Sequence, residues 1–157
     1  INNLDVVRRA LEVVSKDEAA RTCTSLVETS VPDLVVAFQR LCECVYPQIE
    51  GAKPLKRNVF QRLDDGNKLW HDLVGNGYDW ITDVQYAKLR KCFQQRHLLQ
   101  HQDGIVDQDY ITKSGDVSYQ VGQHLIIKAE DITEYAEIVE TLGKRVLALL
   151  EEVKANE

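Results

Sequence analysis

Apolar residues recur at helical spacing along most of this 157-residue chain. In residues 3–15, 83–101 and 131–154 they return every three or four positions. This spacing places the apolar side chains on one face of a helix, where they can be buried together. We therefore expect an all-α protein, built as an antiparallel bundle of about five helices.

Capping and breaking residues predict where the helices begin and end. Asp17 is expected to cap a helix that runs to about Glu28, and Pro32 is expected in the first turn of a new helix. Asn58 is expected to cap the next helix, which Gly66 would break or bend. Thr82 is expected to cap a helix that runs to about His101.

The stretch between this helix and the last one has a different character. Tyr110 and Ile111 suggest one helical turn. Residues 117–128 alternate partly and are rich in β-branched and aromatic side chains, with Gly122 in the middle. They predict a short β-hairpin or extended segment before the final helix.

The length fits one domain covering residues 1–157. No stretch approaches the roughly 20 apolar residues of a membrane helix, and the N-terminus lacks the pattern of a secretory signal. We therefore expect a cytoplasmic protein without a membrane partner. Because the chain begins at Ile1 and contains no Met, either it is a piece of a longer protein or some Met positions are missing from the sequence as written.

Charge is distributed unevenly along the chain. The net charge is −6, yet residues 53–101 carry nine Lys/Arg against five Asp/Glu, which leaves −10 for the rest. An acidic chain argues against a general nucleic-acid coat protein, whereas a basic middle permits a local phosphate site. The alternative interpretation is an ordinary solvated helix surface.

The helix expected after Thr82 carries an arginine where apolar residues should lie. With Leu89 at zero on a helical wheel, Arg96 falls at about −20°, between Phe93 and Cys92. A guanidinium on the core side of a helix is costly unless it is paired. His97 and His101 stack four residues apart, while Arg96 and His101 point roughly 140° apart in a straight helix. A bend in the helix or a second copy of the motif would bring them to one phosphate.

The Arg-x4-His spacing of Arg96 and His101, with the polar His97 after the arginine, resembles the motif of the HEPN superfamily (higher eukaryotes and prokaryotes nucleotide-binding domain). The continuation Gln102-Asp103-Gly104-Ile105-Val106-Asp107, then Tyr110 and Gly122 before a final helix, resembles one HEPN subgroup. The resemblance covers about residues 84–150, and the first half of the chain matches only as generic helices.

This resemblance implies an endoribonuclease that needs neither a metal nor another cofactor. His101 would be the general acid or base, Arg96 would hold the scissile phosphate, and His97 would orient one of these groups or the substrate. The family also implies a homodimer, RNA as substrate, and a regulatory or antitoxin protein partner in a toxin–antitoxin or anti-phage setting. Candidate contacts to the RNA backbone are Lys88, Arg90, Lys91 and Arg57.

Three alternatives remain open. The domain can be a non-catalytic interaction module, with Arg96 in a structural ion pair, to Asp72 or Asp107, and His101 as a helix cap. His97 and His101 can be metal ligands, with a third ligand from His71, His124 or a cysteine. The four cysteines, Cys23, Cys42, Cys44 and Cys92, are otherwise interpreted as small buried hydrophobes in a reducing compartment.

Overall fold

The computed structural model describes the backbone of residues 2–155 and the side chains of residues 3–152. Within this part the chain forms six α-helices and two 3-10 turns, which confirms the all-α prediction. The helices are α1 (Asn2–Glu12), α2 (Lys16–Val45), α3 (Leu63–Val74), α4 (Asp83–His101), α5 (Gln108–Ser114) and α6 (Ala129–Ala155), and the 3-10 turns are Tyr46–Gln48 and Val59–Gln61. None of these helices is both long enough and apolar enough to span a membrane.

Helix α2 organises the fold because it packs against α1, α4 and α6. Its buried side chains follow one another at intervals of three and four residues, so they form a single stripe along the helix. These side chains are Val27, Val31, Val35, Phe38, Cys42 and Val45. Helix α6 contributes the buried side chains of Tyr135, Ile138, Leu142 and Val146 to the core. Helix α4 contributes those of Leu89, Cys92, Phe93 and Leu98.

The prediction of a helix break near Pro32 is wrong, because α2 continues through this residue. Proline lacks the N–H that would donate to the carbonyl of Glu28. The buried stripe, however, is continuous from Val27 through Val31 to Val35. Burial on both sides of the proline therefore holds the helix together across the missing hydrogen bond.

The entry to α3 also differs from the prediction. Asn58 adopts a left-handed conformation (φ 55°) and leads into the 3-10 turn of Val59–Gln61, and α3 begins only at Leu63. Gly66 lies inside α3 and does not break it. A Cβ at Gly66 would lie 2.6 Å from the Tyr78 hydroxyl oxygen, so glycine is required there by close packing.

Residues 117–128 form no strand, so the predicted hairpin is absent from this described segment. Their one β-bridge is antiparallel and joins His124 to Ile105. The Val106 N–H donates to the Gln123 carbonyl at 2.9 Å, and the Leu125 N–H donates to the Gly104 carbonyl at 2.8 Å. The segment therefore pairs with the short connection between α4 and α5, which is too brief to support a regular ladder.

Candidate functional site

Helix α4 supplies most of the predicted site, and its start is set locally as the sequence predicted. The Thr82 hydroxyl accepts a hydrogen bond from the Gln85 N–H at 3.2 Å, and the Gln85 side chain accepts one from the Thr82 N–H at 2.9 Å. This reciprocal pair is a capping box. At the other end, the Gly104 N–H donates to the Leu98 carbonyl at 3.1 Å and closes the helix.

The buried polar residue of α4 is Gln95, which is 1% exposed, whereas Arg96 is only half-buried. The Gln95 side-chain oxygen accepts a hydrogen bond from the Tyr135 hydroxyl at 3.0 Å. Helix α4 packs against α2, α5 and α6, so its buried arc is wider than the local apolar stripe suggested. Arg96 consequently lies at the edge of this arc, beside a cleft.

The cleft has a volume of about 880 Å³ and a wall rich in cationic side chains. We call it the basic cleft. It is formed by α4, the 3-10 turn of Val59–Gln61, the start of α3 and the end of α5. Its charged and imidazole side chains are Arg57, Arg62, Asp64, Asp65, Arg90, Arg96, His97 and Lys113. Five cations face two carboxylates, so the cleft is locally positive on an acidic chain.

Arg96 has no carboxylate partner within 4 Å among the described side chains. Its Nη2 donates to the Gln61 side-chain oxygen at 2.9 Å, while its buried Nε has no hydrogen-bond partner there. Burial lowers the pKa of this guanidinium. The expected ion pairs are absent because Asp72 pairs with Lys68 at 3.4 Å and Asp107 caps α5, accepting from the Tyr110 N–H at 2.7 Å.

A chain of hydrogen bonds leads from Arg96 into α2. Gln61 donates through Nε2 to the side-chain oxygen of Gln39 at 2.6 Å. Gln39, which is 6% exposed, donates through Nε2 to Glu43 at 2.7 Å. The nearest carboxylate along this chain is therefore separated from Arg96 by two neutral amides.

His97 and His101 are both exposed, and their ring centroids lie 5.1 Å apart. His97 lines the basic cleft beside Arg96, whereas His101 does not. Helix α4 continues without interruption through Arg96 to His101, its last residue. Within one chain, the structure thus brings Arg96 and His97 together and leaves His101 one turn beyond them.

The four candidate RNA contacts fall into two groups. Arg57 and Arg90 line the basic cleft. Lys88 pairs with Glu134 at 2.7 Å, and Lys91 pairs with Asp116 at 2.9 Å. Neither lysine lines the cleft, and each already has a carboxylate partner.

Among the described residues, no group of three His, Cys, Asp or Glu side chains is placed to hold a metal ion. Neither His71, His124 nor a cysteine joins His97 and His101 as the third ligand that the metal-binding alternative requires. All four cysteines are free, and Cys23, Cys42 and Cys92 are buried. Burial raises the pKa of the Cys42 and Cys92 thiols to about 12, so both are protonated thiols at neutral pH.

Sequence reasoning missed Gln39, Gln61, Arg62 and Lys113 as neighbours of the site. The last three line the basic cleft, and Gln39 supports it from behind. Arg62 was counted in the basic middle segment, but nothing local ties it to Arg96. No pattern in the sequence links either glutamine to the site, because Gln61 lies 35 positions from Arg96 and 22 positions from Gln39.

No protein-family model matches the chain, and no curated protein or solved structure shows significant similarity to it.

Proposed function

We propose that this chain is a HEPN-like helical domain that acts as a metal-independent endoribonuclease. The observation that carries the proposal is the half-buried Arg96 guanidinium, which lies in the wall of the basic cleft without a carboxylate partner among the described residues. A half-buried charge of this kind is best stabilised by an anion. The phosphate of RNA is the anion that the motif implies.

The composition of the basic cleft supports a polyanionic guest. Arg57, Arg62, Arg90 and Lys113 line the cleft with Arg96. Arg57 and Arg96 have no carboxylate partner within 4 Å among the described side chains, whereas Arg90 lies 3.7 Å from Asp64 and Lys113 pairs with Asp109 at 2.7 Å. Asp65 pairs with Arg62, and Asp64 accepts from the Tyr86 hydroxyl at 2.8 Å. A nucleic-acid backbone gains affinity from such a surface without base-specific contacts.

The proposed chemistry uses only side chains of the motif. A base removes the proton of a ribose 2′-hydroxyl, whose oxygen attacks the adjacent phosphorus and forms a 2′,3′-cyclic phosphate. The bond to the 5′-oxygen breaks, and an acid protonates that leaving oxygen. His101 serves as acid or base, Arg96 stabilises the charge on the phosphate oxygens, and His97 orients one of these groups or the substrate. DNA lacks the attacking hydroxyl and is not cut.

A homodimer completes the proposed site. His101 lies outside the basic cleft of its own chain, so a second copy is needed to bring a His101 ring to the phosphate that Arg96 holds. The cytoplasmic location is proposed from the sequence pattern, and the regulatory or antitoxin partner and the defence setting are proposed from the family resemblance alone.

The test is cleavage of a labelled single-stranded RNA in excess EDTA by the parent and by His101→Ala and Arg96→Ala. We expect the parent to cut and both variants to lose activity, while a DNA of the same sequence stays intact. His71→Ala is the matched control, because His71 is exposed and lies outside the basic cleft. Loss of the parent's activity in EDTA would contradict a metal-independent reaction.

A second candidate function is a non-catalytic interaction module. It is favoured by exposed apolar side chains on the segment before α6, where Val117 is 88% and Ile126 is 68% exposed. Exposed apolar side chains can contact a partner where they lie together in one patch. No cleavage of any RNA, together with lower stability of both the His101→Ala and the Arg96→Ala variants, would favour this module over the nuclease.

A further inference from the structure

The hydrogen bonds from Arg96 to Glu43 all run in one direction. A guanidinium can only donate and an ionised carboxylate can only accept. Arg96 donates to Gln61 at 2.9 Å, Gln61 donates to Gln39 at 2.6 Å, and Gln39 donates to Glu43 at 2.7 Å. The two ends therefore determine the orientation of both amide groups between them.

We propose that Gln61 is a positioning residue for Arg96 and that Gln39 and Glu43 hold it in orientation from behind. This inference rests on the proposed function in one respect, namely that the guest of Arg96 is a phosphate. The amide oxygen of Gln61 holds Nη2 in the cleft wall without cancelling its charge. The guanidinium is thus immobilised before the phosphate arrives, and its charge remains available to bind it.

The location of Gln61 fits this role. It closes the 3-10 turn of Val59–Gln61, which packs against α2 and α3 and follows the left-handed Asn58. Asn58 also accepts from the Gln39 side chain at 3.4 Å. Gln61 is therefore carried by a short turn anchored on two helices and reaches an arginine of a third.

A charge introduced at position 61 distinguishes the positioning of Arg96 from simple packing. In Gln61→Glu a carboxylate pairs directly with Arg96 and neutralises the arginine toward a phosphate, but it cannot donate to Gln39 as the amide does. In Gln61→Leu the hydrogen bond disappears and the guanidinium is no longer held. A purely structural role predicts instead that affinity falls only as far as stability does.

The experiment measures binding of a fluorescein-labelled single-stranded DNA by anisotropy, together with the thermal midpoint. DNA is the probe because it lacks the 2′-hydroxyl and is not consumed. We expect Gln61→Glu to bind about tenfold more weakly than the parent, with a midpoint no lower than that of Gln61→Leu, which also lacks the donor to Gln39. The slope of log affinity against log salt should fall by about 0.7, the loss of one phosphate contact on a single strand.

Gln120→Glu is the matched control, since it adds the same charge at an exposed position outside the basic cleft. It should bind within about twofold of the parent, the range expected of a distant surface charge. Gln61→Leu should also bind more weakly than the parent, with the salt slope retained because Arg96 keeps its charge.

Several results would overturn the inference. These are parent-like binding by Gln61→Glu, an equal loss in Gln120→Glu, a lower midpoint for Gln61→Glu than for Gln61→Leu, or no binding by the parent. Failure of the nuclease proposal is a different result. A parent that binds DNA through Gln61 and Arg96 but cuts no RNA leaves the positioning role intact. If the parent and Gln61→Glu cut RNA equally well, the positioning role is wrong and only the nuclease proposal stands.

Discussion

The imidazole rings of His97 and His101 lie 5.1 Å apart on successive turns of α4, but only the ring of His97 lines the basic cleft. If His101 acts on a phosphate held by Arg96 of a second copy, two inactive variants should complement each other. A heterodimer of Arg96→Ala and His101→Ala would contain one site with both residues intact.

We therefore expect an equimolar mixture of Arg96→Ala and His101→Ala to recover about one quarter of the parent's activity. Half of the randomly formed dimers are mixed, and each mixed dimer has one working site of two. The measurement is RNA cleavage after subunit exchange, with each variant alone as control. No recovery despite demonstrated exchange would place the whole site within one chain.

Because His101 is exposed, its replacement should change the free energy of unfolding by no more than about 0.5 kcal/mol.

Arg57 and Lys88 provide a matched pair of cations for mapping the contacts to RNA. Arg57 lines the basic cleft, whereas Lys88 is paired with Glu134 outside it. Arg57→Ala should weaken oligonucleotide binding and lower the salt slope by about 0.7, since one phosphate contact is lost. Lys88→Ala should leave the slope unchanged. Equal effects of the two substitutions would contradict the assignment of the RNA to this cleft.

Asp116 should make stability depend on acid pH. Burial raises the pKa of its carboxyl, but hydrogen bonds from Ser118, Lys91 and Tyr110 outweigh this effect and lower the pKa to about 2. A carboxylate with a depressed folded pKa stabilises the protein above its unfolded pKa of about 3.9. This contribution is lost as the pH falls from about 4 to about 2.

We expect Asp116→Asn to lower the free energy of unfolding at pH 7 by about 1–2 kcal/mol. The difference from the parent should shrink on acidification below pH 4. The measurement is urea unfolding at a series of pH values. Asp109→Asn is the control, because Asp109 forms an exposed pair with Lys113 on one helix, and such pairs contribute little. A difference between Asp116→Asn and the parent that stays constant with pH would argue against this account of Asp116.

Pro32→Ala should stabilise the protein by roughly 1–3 kcal/mol. Alanine restores the N–H that proline lacks and can donate to the Glu28 carbonyl inside α2. The measurement is the urea midpoint at neutral pH. Pro47→Ala is the comparison, since Pro47 lies in the first turn of a 3-10 helix, where proline is well tolerated. A less stable Pro32→Ala variant would show that the proline ring contributes more through packing than its missing hydrogen bond costs.

Several features of the fold and site were predictable because they depend on residues close together in the sequence. Thr82 and Gln85 are three residues apart, and their capping box sets the start of α4. The helical spacing of apolar residues likewise predicted α4 and α6. The helical turn expected at Tyr110 and Ile111 is part of α5, and the structure shows that Asp107 caps this helix.

The sequence by itself therefore determined most of the helical segments, where α4 begins, and that Arg96, His97 and His101 share its last turns. Tertiary structure alone decided that α2 continues through Pro32, that residues 122–125 pair with residues 104–106, and that Arg96 meets Gln61, 35 positions away, rather than a carboxylate. The physical reason is the sequence separation between the residues that interact. A helix and its cap depend on interactions over three or four residues, whereas the partner of a side chain at a helix edge depends on which other element packs beside it.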